Sequence, residues 1–221
     1  MNYTNKWLRT TLTKEATTDF LQNYGRLLKW KNYKEDILEV GCADGSITKN
    51  ILFPCIKEHV HKLLATDKLA DMIDFAEKTN YLEEIDYQIL DVMNPKSVEK
   101  LHNRFDHIFS FIVAQIIPDN SGFFTALHKM LKPGGQIFTT MFSDNCIKRS
   151  IYRQAKEEKW AKYIKPDLIF ADYTDNPDQY LRKLLEDIGF QVDVCHVKSK
   201  AYQTQNFGGN YIETLLWNKI D

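Results

Sequence analysis

The stretch Ile37–Leu52, "ILEVGCADGSITKNIL", reads as an apolar strand, a turn of small residues, then helical periodicity. Its turn sets Gly41 and Gly45 four apart, with Asp44 between them. In an open α/β sheet, ligands bind beyond the carboxyl ends of the strands, so this βα turn is the place to look. Gly41 permits the tight turn, Ala43 lets a ligand approach the backbone, and Gly45 lets the chain enter the helix closely. The phosphate-loop spelling, GxxxxGK followed by Ser or Thr, is absent, which disfavours a nucleoside triphosphate. The dinucleotide spelling GxGxxG also fails, because Gly41, Ala43 and Ser46 occupy its glycine places. Asp44 would repel a pyrophosphate and attract an ammonium group.

Outward from this turn, strand-like and helical patterns alternate. "DILEV" (36–40), "KLLATD" (62–67), "DYQILD" (86–91), "FDHIFSFIVA" (105–114) and "QIFTTMF" (136–142) read as five strands. Helices are expected over "SITKNILFPCI", "LADMIDFAEKTNYL", a short "SVEKLHN" and "NSGFFTALHKML", and "KPGG" reads as a turn. This rhythm predicts βαβ units, a parallel sheet and a Rossmann-like α/β fold. Beyond residue 142 the chain is charged and helical to about 185, with Gly189 as a helix C-cap. "FQVDVCHVKS" (190–199) reads as a sixth strand and "YIETLLWN" as a candidate seventh, antiparallel one. The first 30 residues look helical, with Leu8, Leu12, Phe20, Leu21, Leu27 and Leu28 buried. The expectation is one domain over 1–221: a core at 36–142, with helical covers at 1–30 and 143–185.

Two further acids stand at strand ends. Asp67 closes strand two, 26 residues after Gly41, where a carboxylate can accept both hydroxyls of a ribose. Asp91 closes strand three, within reach of an adenine edge. A ribose, an adenine and a cationic amino-acid tail without phosphate describe S-adenosylmethionine. Taken singly, either acid is equally a helix N-cap or a surface carboxylate; their joint placement carries the reading.

Composition allows this and excludes other classes. The chain has 221 residues, a net charge of −1 and 43% hydrophobic residues, an ordinary globular mix that advertises no nucleic-acid partner. No window approaches the roughly 18–20 apolar residues of a membrane span, and the N-terminus lacks a signal-peptide core. Cys42, Cys55, Cys146 and Cys195 have no CxxC spacing and read as free thiols of a cytoplasmic protein. His59 and His61 have no third ligand at metal spacing, so no metal is expected.

"EVGCADG", "ATDKLADM" and "ILDV" together resemble the class I S-adenosylmethionine-dependent methyltransferases over roughly residues 36–142. "GCADGSIT", "FDHIFSF" and the block "IYRQAKEEKWAKYI…YTDNPDQYLRKLLEDIGF" resemble more narrowly the insect juvenile hormone acid methyltransferases. The resemblance implies methyl transfer to the carboxylate of a small lipophilic, sesquiterpenoid-like acid. It implies a cofactor site of Gly41, Cys42, Ala43, Asp44, Gly45, Asp67, Lys68, Met72, Asp91, Val92 and Phe111. A carboxylate is already ionised at pH 7, so the reaction needs alignment and exclusion of water rather than a general base. The family's glutamine after a Ser/Thr-Leu pair is Thr13 here, and its His-Trp after strand four is Gln115-Ile116. Thr13 and Gln115 are therefore the candidates for orienting the carboxylate, or else a helix-start residue and a solvated loop amide.

Phe111, Ile112, Val113, Ile116 and Phe142 are the expected floor of an apolar acceptor pocket, and Tyr152, Trp160 and Tyr163 its lid. Two other readings stay open. One is a non-catalytic descendant that binds cofactor or a lipophilic ligand. The other is a methyltransferase acting on a hydroxyl or amine, with Asp119, His128 or a lid residue as base.

Overall fold

Strands whose apolar runs lack alternation must be covered on both faces, and a parallel sheet between helices does this. The computed structural model describes the backbone of residues 6–145, 153–164, 176–204 and 207–219. Five strands run parallel: β1 (Glu35–Val40), β2 (Val60–Asp67), β3 (Ile85–Ile89), β4 (Phe105–Phe111) and β5 (Leu131–Asn145). With β6 (Gln191–Thr204) and β7 (Phe207–Lys219), the order is β3-β2-β1-β4-β5-β7-β6. β7 is antiparallel to both of its neighbours, so "YIETLLWN" lies inside the expected seventh strand. The chain reverses its direction of travel across the sheet between β1 and β4, which makes their carboxyl ends the switch point.

One face of the sheet carries α1 (Lys6–Tyr24), a π-helical turn (Thr48–Leu52) that continues into α2 (Phe53–Ile56), and α3 (Ala70–Thr79). Phe20, Leu21, Leu52, Ile56, Ile73 and Ala76 pack there against Ile37, Phe109, Phe111 and Phe138. The other face carries α4 (Pro95–Glu99), α5 (Asn120–Met130) and α7 (Pro177–Ile188), packed on Leu38, Ile108, Ile137 and Met141. A short helix, α6 (Glu158–Ala161), precedes α7. Gly189 caps α7 in the left-handed region at φ 114°, as its position predicts.

Several bounds differ from the sequence reading. Strand three stops at Ile89, and the Leu90 N–H gives the last rung of its ladder to the Asp67 carbonyl at 3.0 Å. Strand four stops at Phe111 rather than Ala114, because Ile112 takes φ 58° and ends the ladder. The α3 helix covers only Ala70–Thr79 of the expected 69–82. "KPGG" is a bulge rather than a separate turn: pairing jumps from Leu131 opposite Phe105 to Gln136 opposite His107. Phe20, Leu21 and Leu28 are buried as expected and Leu27 is half-buried, while the side chains of Leu8 and Leu12 lie outside the described ones.

The amino end of the sheet is tied by charge. Asp106, 1% exposed, accepts from Lys31 Nζ, from Lys132 Nζ at 2.8 Å and from the Asp36 amide at 3.0 Å. Burial works to raise its pKa, but the hydrogen bonds from Lys132, Lys31 and Asp36 prevail and hold it below the ordinary carboxylate value. Its stabilisation is therefore present above the unfolded carboxylate pKa and lost as pH falls through the depressed one. Asp106→Asn should cost about 2 kcal/mol at pH 7 and progressively less in acid, read from urea unfolding across pH.

Candidate functional site

The turn after β1 is built from alternating left-handed residues: Gly41 at φ 83°, Ala43 at φ 48° and Gly45 at φ 73°. Both the Gly41 and Cys42 amides donate to the Thr66 carbonyl, at 2.7 and 2.9 Å, which ties the turn to β2. A Cβ on Gly41 would run into Val113 Cγ2. One on Gly45 would stand 2.7 Å from Tyr87 Oη and 2.9 Å from Ala76 Cβ. Both glycines are thus fixed by close approach as well as by φ.

Asp67 holds the turn from the side. Its Oδ2 accepts from the Ala43 amide and its Oδ1 from the Leu69 amide, each at 3.0 Å. A carboxylate has about four acceptor positions, so each oxygen keeps one for a ligand hydroxyl. The Leu90 bond to the Asp67 carbonyl brings Asp91 alongside, exposed, with Oδ1 accepting from Met93 N at 2.9 Å. Asp44 Oδ1 accepts from Ser46 N at 3.1 Å, and Asn80 Nδ2 donates to the Asp44 carbonyl at 2.7 Å.

The sequence reading missed Glu39, two residues before Gly41 and 2% exposed. The signal was present: a carboxylate inside an apolar strand has few structural uses. Glu39 Oε2 has no partner among the described residues. Burial pushes its pKa up to about 7, the Asp67 charge adds to this, and Thr48 opposes it. Ion pairs among the described residues all lie elsewhere, so Glu39, Asp44, Asp67 and Asp91 gather around one glycine turn with none of them in an ion pair. Such a set favours a cationic ligand.

The remaining expected cofactor residues divide. Cys42 is 4% exposed and Val92 6%, and both side chains belong to the core, leaving only their backbones for a ligand. Burial also pushes the Cys42 thiol well up, which removes it as a nucleophile. Lys68 is exposed and Met72 half-buried. Phe111 is 5% exposed, its ring 6.1 Å from Phe109 and 6.2 Å from Phe138, inside the aromatic core rather than open to a ligand.

At the end of β4, Ile112 donates its N–H to the Thr140 carbonyl and accepts from Gln115 Nε2, both at 2.8 Å. The facing carbonyl fixes the amide's orientation and leaves Gln115 Oε1 buried without a partner. A β-branched residue at φ 58° is strained, and such strain gathers at functional sites. Ile112 packs with Ala16 and Phe142 as a small separate cluster, whereas Val113 covers Gly41 and Ile116 is 43% exposed. Thr13 is half-buried on α1. Trp160 and Tyr163 are exposed, with Lys159 and Lys162 over their own rings, so they wall no pocket here. Tyr152 lies outside the described residues. Of the two candidate bases, Asp119 caps α5 through Gly122 N at 2.8 Å, and His128 packs edge-on against Phe190 at 4.9 Å.

This geometry meets its relatives. A methyltransferase-domain family matches residues 12–194. The chain belongs to that family. It is 27% identical over 195 residues to juvenile hormone acid O-methyltransferase of Bombyx mori, covering 86% of this chain and 69% of that one. Its counterpart from Drosophila melanogaster is 25% identical over 189 residues, covering 82% and 63%. Malonyl-[acyl-carrier protein] O-methyltransferase 2 of Ilyobacter polytropus is 30% identical over 153 residues, covering 69% and 53%. The chain thus spans between about half and two thirds of these relatives' lengths. Among solved structures, a methyltransferase from Bacillus halodurans superposes with a TM-score of 0.66 at 15% identity, covering 90% of this chain and 97% of that one. The trans-methyltransferase CalH, in complex with S-adenosylhomocysteine, gives 0.57 at 16% identity, covering 85% and 52%. The fold is the Rossmann-like class I fold, and the protein is a methyltransferase dependent on S-adenosylmethionine.

The raised Glu39 carries a testable sign. Its folded pKa lies above the unfolded 4.5, so it favours folding in acid, and that contribution is lost as pH rises through about 7. Glu39→Gln should gain about 2 kcal/mol over the wild type between pH 5 and pH 8, by urea unfolding of the ligand-free protein.

Proposed function

We propose that this methyltransferase converts the carboxylate of a small lipophilic acid into its methyl ester. The carboxylates around the glycine turn, none of them ion-paired among the described residues, are the observation that supports binding of a cationic methyl donor. S-adenosylmethionine supplies, when bound, an electrophilic methyl on a sulfonium and a cationic amino-acid tail. Gly41, Ala43, Asp44 and Gly45 hold that tail, Asp67 accepts the ribose hydroxyls and Asp91 serves the adenine edge, with Lys68 and Met72 alongside.

The acceptor is argued from the relatives and from the chemistry. Two relatives are named for juvenile hormone acid and a third for a malonyl group, which carries a free carboxylate. The acceptor oxygen is ionised at neutral pH, forms the new C–O bond as the methyl–sulfur bond breaks, and gives up no proton. Residues need only align it and keep water away, which suits a site where Asp119 and His128 have structural work. Ile112 and Phe142 supply apolar wall, and Ile116 stands at the mouth. The reducing cytoplasm suits the free thiols of Cys42, Cys55 and Cys195. One observation favours a second reading: Gln115 Oε1, buried without a donor, would suit an acceptor bearing an O–H or N–H.

Calorimetry with S-adenosylhomocysteine tests the donor site. Micromolar 1:1 binding is expected, and Asp67→Ala should weaken it by about 1–3 kcal/mol, since it removes ribose contacts and frees the Ala43 amide. Unchanged affinity would take Asp67 out of the site. Radiolabelled methyl transfer to farnesoic acid and to farnesol separates the two acceptor readings, transfer to the acid being expected. Ile116→Trp should raise turnover on farnesoic acid severalfold, because a larger apolar side chain at the mouth covers more of the acceptor. No gain would mean that Ile116 does not touch it.

A further inference from the structure

Among the described residues, buried polar atoms without partners gather at the two ends of the sheet. At the amino end they belong to Glu35, His107 and Gln136. At the carboxyl end they include two hydroxyls that no family motif covers, Thr17 Oγ1 on α1 and Thr140 Oγ1 on β5. Thr17 is 0% exposed and Thr140 1%.

Register places Thr140. Phe111 pairs with Thr140, and Phe109 pairs with Glu39, so Thr140 stands level with Gly41, two residues past Glu39. Its side chain shares a face with Phe111, Phe138 and Phe142, the face that α1 covers. On α1, Ala16 packs against Phe142 and Ile112, and Thr17 follows it, buried. Thr17 thus follows Ala16 on the helix and Thr140 precedes Phe142 by two on the strand, so each adjoins a member of the Ala16–Ile112–Phe142 cluster. Thr140 also accepts the amide of Ile112, the residue held at φ 58°.

A helical threonine ordinarily turns its hydroxyl onto the carbonyl four residues back, and Thr17 does not. Leaving two hydroxyls buried without partners costs stability, and stability given up in this way is characteristic of functional sites.

We propose that the Thr17 and Thr140 hydroxyls hold the carboxylate of the methyl acceptor, with its hydrocarbon chain on Ala16, Ile112 and Phe142. The proposal rests on the carboxyl-methylation reading above. Two O–H donors suit the reaction better than a lysine or arginine would. The acceptor's charge disappears as the ester forms, so a fixed cation would stabilise the starting acid more than the transition state. Neutral donors orient the carboxylate without that handicap. Both hydroxyls are covered by α1, so binding of the acid requires that helix to shift.

The test is calorimetry of the full chain saturated with S-adenosylhomocysteine, titrated with farnesoate and with farnesol. The wild type should bind farnesoate in preference to farnesol. Thr17→Val and Thr140→Val, which keep volume, should each lower farnesoate affinity at least tenfold. S-adenosylhomocysteine affinity should hold and the thermal midpoint should stay or rise, while Thr17→Ser should restore binding. Valine variants that bind farnesoate like the wild type overturn the proposal, as does a lowered midpoint with weakened S-adenosylhomocysteine binding. A wild type that takes S-adenosylhomocysteine but does not distinguish farnesoate from farnesol overturns the carboxylate reading and this proposal with it. Failure to take S-adenosylhomocysteine at all overturns the donor site separately.

Discussion

A missing side chain organises the carboxyl end of this sheet. Gly41 ends β1 at φ 83°, and Val113, just beyond β4, occupies the space its Cβ would need. The turns after β1 and β4 are therefore wedged together at the switch point. With Val113 fixed, Ile112 bridges back to β5 through the Thr140 carbonyl and takes the left-handed conformation that ends β4. From the other side, the Thr66 carbonyl collects the Gly41 and Cys42 amides, and Asp67 collects that of Ala43. The proposed donor and acceptor sites are consequently two faces of one packed junction, and a change at Gly41 would move both.

Charge divides the molecule in the opposite sense. At the amino end Asp106 is buried but met by Lys31, Lys132 and the Asp36 amide, so its ionised form is favoured. At the carboxyl end Glu39, Asp44, Asp67 and Asp91 are in no ion pair among the described residues, and Glu39 is left half-protonated near neutrality. The paired end adds stability and the unpaired end gives some of it up. This asymmetry is what a site preorganised for a cationic ligand requires, because the ligand then supplies the missing charge.

Much of this was legible in the sequence. The alternation of strands and helices, the glycine turn, and the acids Asp67 and Asp91 near strand ends follow from local signals: apolar runs, small residues and acids at run ends. The Gly189 cap does too. The order of the strands across the sheet does not. What was not legible depends on tertiary contact. Cys42, Val92 and Phe111 belong to the motifs, yet their side chains face the core, because strand alternation and helix packing decide orientation and the motif spelling does not. Thr17 and Thr140 carry no local signal, since a threonine on a helix or strand is ordinary until its hydroxyl is seen to lack a partner. Glu39 was the one legible residue passed over, hidden by the glycines that follow it.

The two departures from the family spelling look different once placed. Thr13 and Gln115 were expected to donate to a carboxylate. Gln115 instead gives an N–H to Ile112 and so serves first to hold the strained turn, with its oxygen left over. Thr13 lies one helical turn before Thr17 on α1, on the same side, but only Thr17 is fully buried against the sheet. A short hydroxyl cannot reach as far as a glutamine amide from the same helix position. If the helix is to keep contact with the same acceptor, the contact must come from a more deeply buried residue, and Thr17, fully buried where Thr13 is half-buried, meets that condition. A chain can in this way lose a family's signature residue while the layer between α1 and β5 still offers hydrogen-bond donors.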